Sequence, residues 1–318
     1  MFDRFQGAMK LRDAAALLGL SLVWGSSYLL MHAAGEFGAV PLAGLRASLA
    51  AALLLALLAR SGQLPLLRRH WRALAVVGLT NSALPFVCFA YASTHIATGL
   101  SSVFGAAAPL FGAAIAAGWW GERLPALRWA GLALGLLGVF GLAWTRSQGA
   151  LLMDDPAQAL AIAACLAATL GYGFSVPYTR RRLAGVPPLA VAAGSQLAAG
   201  LALAVPAVVW WPSALPSAQA WGSALLLALV GTAAAYIVFF RLIARVGSTR
   251  ALTVTFLIPV SALALGALVL DERPDRALLI GCGVILLGTA LANGLLARAR
   301  PASATLAVCG RPDSAPAR

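Results

Sequence analysis

The sequence predicts an all-α integral membrane protein of ten transmembrane helices, arranged as two inverted five-helix repeats. Three observations carry that prediction. Of 318 residues, 61% are hydrophobic and only 10% charged, with a mean hydropathy of +0.87, whereas a soluble domain carries about a quarter charged residues. Too little polar surface exists to clothe a globule in water, while a bilayer solvates apolar side chains without penalty. Long stretches lack Asp, Glu, Lys and Arg altogether, and a set of prolines, glycines and carboxylates recurs at one constant offset.

A spanning helix needs about 20 apolar residues, so the charge-free runs place the helices in order. The first, 14–34, follows Lys10 and Arg12 but exceeds the apolar region of a secretory signal, and is read as a retained helix. The second, 38–59, carries Arg46. Residues 73–121 hold no formal charge; at 1.5 Å per residue that is roughly 70 Å, enough to cross a core about 30 Å thick twice. The break falls between Ser93 and Thr98, around His95, giving 73–92 and 98–119. A fifth helix, 126–145, closes the first half and 156–177 opens the second. Residues 183–240 again hold two crossings, 189–210 and 219–240, divided by Trp210, Trp211, Pro212 and Pro216, which are interfacial aromatics and helix breakers. Helices at 249–270 and 277–297 complete the set, and 301–318, rich in Pro, Ala and Ser, reads as a disordered cytoplasmic tail.

Lys and Arg fix the orientation, because cytoplasmic connections retain them. With the N-terminus inside, only Arg146, Arg273 and Arg276 fall outside and only Arg46 falls within a span; the remaining basic residues, among them Arg68, Arg69, Arg123, Arg180, Arg181, Arg241, Arg245, Arg250 and Arg300, lie inside. Both termini are therefore expected in the cytoplasm. The net charge of +13 is spread between apolar runs and forms no basic domain, which argues against nucleic acid as a partner. Cys88, Cys165, Cys282 and Cys309 are scattered without CxxC or metal spacing, so neither a metal nor a cofactor is expected.

The repeat is explicit. Pro109 precedes Glu122 by the interval at which Pro259 precedes Glu272, and Gly131 and Gly138 answer to Gly281 and Gly288, all offset by 150 residues. Five helices per half is an odd number, so the second half enters the membrane from the opposite side. That is the geometry of an alternating-access carrier with its site at the repeat interface.

Trp24-Gly25-Ser26-Ser27, Arg46, the stretch from Tyr91 through Pro109 to Gly121-Glu122-Arg123, Arg241 to Gly247, Pro259 and Glu272 together resemble the EamA-type members of the drug/metabolite transporter superfamily. Two such units would cover 12–145 and 156–297. The resemblance implies a ten-helix fold, a bacterial inner-membrane location and export of amino acids or related metabolites. Asp271 stands where the family has Gly, and Leu170-Gly171-Tyr172-Gly173 occupies the place of a second Trp-Gly pair.

Several residues could line a substrate pathway. Pro109 and Pro259 sit near the middle of their spans, where a proline deletes a backbone bond and a kink or break follows; in a carrier such breaks expose carbonyls to a central cavity, against the alternative of a packing kink; Pro85 has no partner at the offset and reads as a kink. Arg46 costs about 2.5 kcal/mol or more to bury in lipid, so it faces the pathway and pairs with an anionic group such as a carboxylate, or it snorkels to the outer interface. Trp24, Ser26, Ser27 and Tyr28 in the first helix, Tyr172 in the sixth and Gln196 in the seventh would supply polar anchors in a mostly apolar cavity, against the alternative of ordinary helix packing. Tyr91 and Tyr236 add aromatics, Tyr91 close enough to the outer end to be a belt residue. Glu122 and Glu272 lie at the membrane boundary and read as caps or anchors of the following helix rather than proton carriers.

No paired Asp, Ser with His, or His-Glu-x-x-His pattern of an intramembrane enzyme occurs, nor a P-loop, nor a filter-like Gly segment. The expected function is a secondary transporter exporting amino acids or related small metabolites, with a small-molecule substrate and the lipid bilayer as partners. The competing readings are a non-transporting membrane sensor or structural protein, and an exporter of drug-like aromatic compounds.

Overall fold

The computed structural model describes residues 10–122, 124–152, 155–246, 251 and 253–294. The predicted disordered tail, 301–318, and Arg123, Arg250 and Arg300 lie outside the described residues. Among the described residues every regular element is helical. In chain order they are α1 (Leu11–Ala33), a 3₁₀ turn (Gly35–Phe37), α2 (Ala39–Arg60), α3 (Pro65–Ala92), α4 (Thr98–Trp120), α5 (Ala126–Leu152), α6 (Pro156–Arg182), α7 (Pro188–Val209), α8 (218–246), α9 (Val254–Val269) and α10 (Arg276–Ala292). The first eight are long and apolar enough to cross a membrane. With 16 and 17 residues, α9 and α10 reach about 24–26 Å, roughly one turn short of a 30 Å core.

Several helices start earlier or end later than their charge-free runs. α3 begins at Pro65, whose missing N–H costs nothing in the first turn, and carries Arg68, Arg69 and Arg72 on its leading end. α6 continues through Arg180, Arg181 and Arg182, cations that suit the negative end of the helix dipole. Asp155, Ser217 and Asp275 cap α6, α8 and α10 by accepting from Gln158 N, Ala220 N and Leu278 N.

The two prolines behave differently. α4 is interrupted after Gly105 and resumes at Ala108, with Pro109 in the first turn of the second segment, where its missing donor is an orphan anyway. α9 runs through Pro259 without a break. A proline on the second turn removes a single ladder bond, and the helix continues past it, so of the expected kink or break at Pro259 the break is not formed. Interruptions of another kind appear in α3 and α8, where Leu79–Ala83 and Leu229–Ala234 form π turns; a π turn slips the ladder by one residue and releases a carbonyl.

Small residues set the packing. α2 runs along α7, with Gly44 against Leu203 and Ala207 and Gly200 against Ser48. α5 runs along α10, with Gly131 against Leu291 and Ala292 and Gly288 against the Gly135 backbone. α1 lies on α9 through Gly25 and Ser261, and α6 lies on α3 and α4, with Gly173 against Phe111 and Gly112. Glycine at such points lets backbones approach closely and substitutes dispersion contact for the hydrophobic drive that lipid does not supply. The outer faces display Leu137, Phe140, Trp144, Leu201, Val205 and Ile280, an apolar surface that calls for lipid around it.

Polar contacts tie the two halves at the helix ends. Asp13 at the start of α1 is buried and meets Arg245 of α8 at 2.9 Å. Glu122 after α4 meets Arg180 of α6 at 2.5 Å and Arg181 at 3.5 Å. Glu272 accepts from Thr98 N and Gly99 N at 2.6 and 3.2 Å. Both glutamates are anchors, as expected, but each holds a helix of the opposite half rather than its own next helix. Glu36 accepts from Ser217 N and Oγ, both at 2.7 Å, and these bonds pull its carboxyl below the usual range. Arg146 meets Asp275 at 2.6 Å and, with the Leu278 amide, lowers that carboxyl likewise.

Candidate functional site

Arg46 is buried inside the bundle rather than extended over its surface. Its Nε donates to Thr232 Oγ1 at 2.8 Å, Nη1 lies 3.9 Å from Met31 Sδ, and the guanidinium carbon stands 3.8 Å from the centroid of the Phe86 ring. Thr232 belongs to the π turn of α8, and its hydroxyl in turn donates to Leu227 O at 2.9 Å. No carboxylate pairs with Arg46 among the described residues. A guanidinium held, among the described residues, by a hydroxyl, a thioether and an aromatic face keeps donors available for an anion.

A second polar group lies on the other half's helices. Gln196 of α7 is fully buried, and its Nε2 donates to Ser82 Oγ in the π turn of α3 at 2.8 Å. Tyr236 of α8 hydrogen-bonds Ser82 and accepts from Asn81 Nδ2 at 3.4 Å. Arg46 and Gln196 are 150 residues apart, and so are Ser82 and Thr232, and Phe86 and Tyr236. The two bonds are therefore crossed counterparts: α2 reaches the π turn of α8, and α7 reaches the π turn of α3.

Aromatic rings wall this cluster. Tyr28 meets Phe89 edge-on at 5.5 Å, Phe89 stacks on Tyr172 at 6.0 Å, and the hydroxyls of Tyr28, Tyr172 and Tyr236 feel the charge of Arg46. Trp24 donates from Nε1 to Gly231 O at 3.2 Å and rests edge-on against Phe239, so it holds the π turn of α8 from the side. Ser26 and Ser27 each donate to Val23 O within α1, bonds that serve the helix and leave Ser27 buried beside Gly231. Tyr91 stacks on His95 and donates to Ala157 O at 3.5 Å, apart from the cluster.

The structure thus brings together Tyr28, Arg46, Tyr172, Gln196 and Tyr236 of the residues singled out in the sequence. It adds Met31, Asn81, Ser82, Phe86, Phe89 and Thr232. The offset of 150 could have found three of these, since it joins Arg46 to Gln196 and points from the polar pair Asn81-Ser82, inside an apolar run, to Thr232. The polar heart of the cluster is closed, with Gln196, Ser82 and Thr232 fully buried, while Asn81, Tyr172 and Tyr236 are half-buried. Two open grooves, one of about 660 Å³ lined by Phe111, Trp119, Leu136 and Phe140, the other between α3 and α7, are apolar and do not include the cluster. Lipid-facing grooves of this kind carry none of the convergent polar groups that orient a solute.

Comparison with known proteins bears on the whole chain. The family model described as the EamA-like transporter family matches residues 13–144 and again 159–294. A protein of Escherichia coli K12 described as the uncharacterized inner membrane transporter YedA is 30% identical over 283 residues, covering 87% of this chain and 89% of that protein; its counterpart in Escherichia coli O157:H7 matches equally. A crystal structure titled only as that of a protein superposes with a TM-score of 0.62 at 25% identity, over 90% of this chain and 99% of the other.

Proposed function

The chain belongs to the EamA-like transporter family, and on that premise we propose that it is a secondary transporter exporting amino acids or related small metabolites across a bacterial inner membrane, with both termini in the cytoplasm. The helices form two inverted five-helix units, 12–145 and 156–297, that rock about the central cluster. Arg46 holds the carboxylate of the solute, the rings of Tyr28, Phe86, Phe89 and Tyr172 receive its apolar part, and Trp24, Ser27 and Tyr236 keep the π turns in place. Tyr91 borders the outer mouth, and the interruption before Pro109 gives α4 a flexing point.

The observation that carries this reading is the pair of crossed hydrogen bonds, Arg46 to Thr232 and Gln196 to Ser82. Each joins one half's second helix to the other half's third, so any solute that displaces one of them loosens the halves from each other, which is what alternating access needs. The ten-crossing topology is supported by the bond from Glu272, beyond α9, to the start of α4, while the start of α1 meets the end of α8 through Asp13 and Arg245. A chain leaving α8 at one end and meeting the start of α4 at the other has crossed in between. The YedA description, an inner membrane transporter, supports the location.

A second reading, export of drug-like aromatic compounds, is favoured by the ring wall of Tyr28, Phe89 and Tyr172. Counterflow in proteoliposomes tests both, with a panel of labelled amino acids, carboxylated metabolites and aromatic cations. Saturable exchange confined to carboxylate-bearing solutes is the expected result. Exchange confined to the aromatic cations would overturn the assignment of Arg46, and no exchange in well-inserted protein would overturn the carrier reading in favour of a sensor or structural role.

A further inference from the structure

We propose that Gln196 is the second anchor of the central site, an acceptor that reads an N–H or O–H group on the solute whose carboxylate Arg46 holds. The inference rests on the carrier reading of this cluster and adds a chemical requirement to it: the solute carries a hydrogen-bond donor as well as an anion, and binds in one orientation.

Two independent observations meet here. The first is an unsatisfied atom. Gln196 is fully buried and its Nε2 is used on Ser82, but Oε1 has no partner among the described residues. An amide oxygen left bare in an apolar bundle is costly, and where a buried acceptor persists without a partner a bound species is a ready explanation. Its neighbours are engaged elsewhere: Ser82 is shared between Gln196 and Tyr236, and the Asn81 amide donates to the Tyr236 hydroxyl.

The second observation is positional. Gln196 occupies in its half the place that Arg46 occupies in the other, and α2 and α7 lie directly along each other through Gly44 and Gly200. Each of the two side chains donates to a hydroxyl in a π turn, Thr232 for Arg46 and Ser82 for Gln196. The scaffold is thus matched while the tips differ: a cation lacking a carboxylate on one side, an acceptor lacking a donor on the other. A solute with an anion and a donor completes both at once, whereas the reverse orientation sets an anion against an amide oxygen and a donor against a guanidinium. Discrimination comes from the group left unpaired, since a site built to receive a hydrogen bond rejects analogues that lack one.

Three probes with one branched apolar body separate the requirements: leucine, 4-methylpentanoate, which keeps the carboxylate and loses the donor, and 3-methylbutylamine, which keeps the donor alone. Apparent affinities are read from ligand-induced shifts of the thermal unfolding midpoint of the full chain. Wild type is expected to bind leucine about tenfold or more tightly than 4-methylpentanoate, and Gln196→Leu to erase that preference while still binding 4-methylpentanoate. Gln196→Glu is expected to gain binding of 3-methylbutylamine, a gain that a merely misfolded variant cannot give. Arg46→Met is expected to lose both carboxylates. Equal binding of leucine and 4-methylpentanoate by wild type, or a leucine preference retained in Gln196→Leu, would overturn the donor requirement while leaving Arg46 as an anion site. Retained binding of both carboxylates in Arg46→Met, or no shift with any probe, would overturn this inference together with the reading it rests on.

Discussion

Replacing Arg46 by Met should cost little stability, and replacing its small neighbour Thr232 by Val should cost more. Placing an arginine at membrane depth is unfavourable by about 2.5–3.5 kcal/mol. Against this stand the charge-assisted bond to Thr232 at 2.8 Å, worth about 1.5–3 kcal/mol, and the face of Phe86 at 3.8 Å, worth about 2 kcal/mol when desolvated. The gains are of the size of the cost, so an unbranched apolar side chain of similar length should leave the fold within about 1 kcal/mol of wild type. Thr232 is not stranded by the exchange, because its hydroxyl still donates to Leu227 O. Thr232→Val leaves the guanidinium buried, removes its acceptor and strips Leu227 O of a donor, a loss of about 2 kcal/mol or more. The assay is thermal unfolding in detergent followed by a thiol-reactive dye, since Cys165 and Cys282 are buried and become reactive only on unfolding. A midpoint for Arg46→Met clearly below that of Thr232→Val would refute the reasoning, and would mean that the charge stabilises the fold and is not held for a ligand.

The same assay checks three further expectations. Gly288→Ala should destabilise by about 1–3 kcal/mol, because the new methyl meets the Gly135 backbone, whereas Gly283→Ala, with open space around it, should be neutral; equal midpoints would sink the seam between α5 and α10. Asp271 holds a left-handed φ of 54° and Gly121, its counterpart, one of 66°, so Asp271→Gly should be within about 1 kcal/mol of neutral while Gly121→Val should lose about 1–2 kcal/mol. The carboxyls of Glu36 and Asp275 titrate low in the folded state, so each contributes stability that is complete above the unfolded value near pH 4 and is lost as pH falls through the lower folded value. Acidification below about pH 4 should lower the wild-type midpoint more steeply than that of Glu36→Gln/Asp275→Asn, and parallel curves would contradict it.

Composition and charge-free runs made the helices legible, because lipid leaves a chain few alternatives to helix. Their ends were less so: Pro65 and the arginines of α3 and α6 extend helices beyond their apolar runs, since a helix end in water tolerates charge that its middle does not. Arg46 and Gln196 stood out as polar residues in apolar text, and the central cluster contains both. Ser82 and Thr232 are marked in the sequence only by the offset of 150, because the π turns that place them are slips of the hydrogen-bond ladder that hydropathy does not register. The prolines guide only in part: Pro109 stands at the interruption of α4. The residue type advertises a break, yet α9 runs through Pro259, whereas the π turn of α3 ends two residues before Pro85 and that of α8 has no proline beside it. Glu122 and Glu272 were read correctly as anchors, but which helix each anchors depends on tertiary proximity that no local pattern carries.

The central claim is that Arg46 is held in the bundle to bind the anionic group of a transported solute. Counterflow of a carboxylate-bearing solute, run side by side for wild type and Arg46→Met in proteoliposomes matched for inserted protein, tests it most directly. Saturable exchange by wild type, and its loss in a variant that unfolds at the wild-type temperature, is the predicted result. Exchange by Arg46→Met at the wild-type rate would contradict it, and would make Arg46 a packing residue that happens to carry a charge.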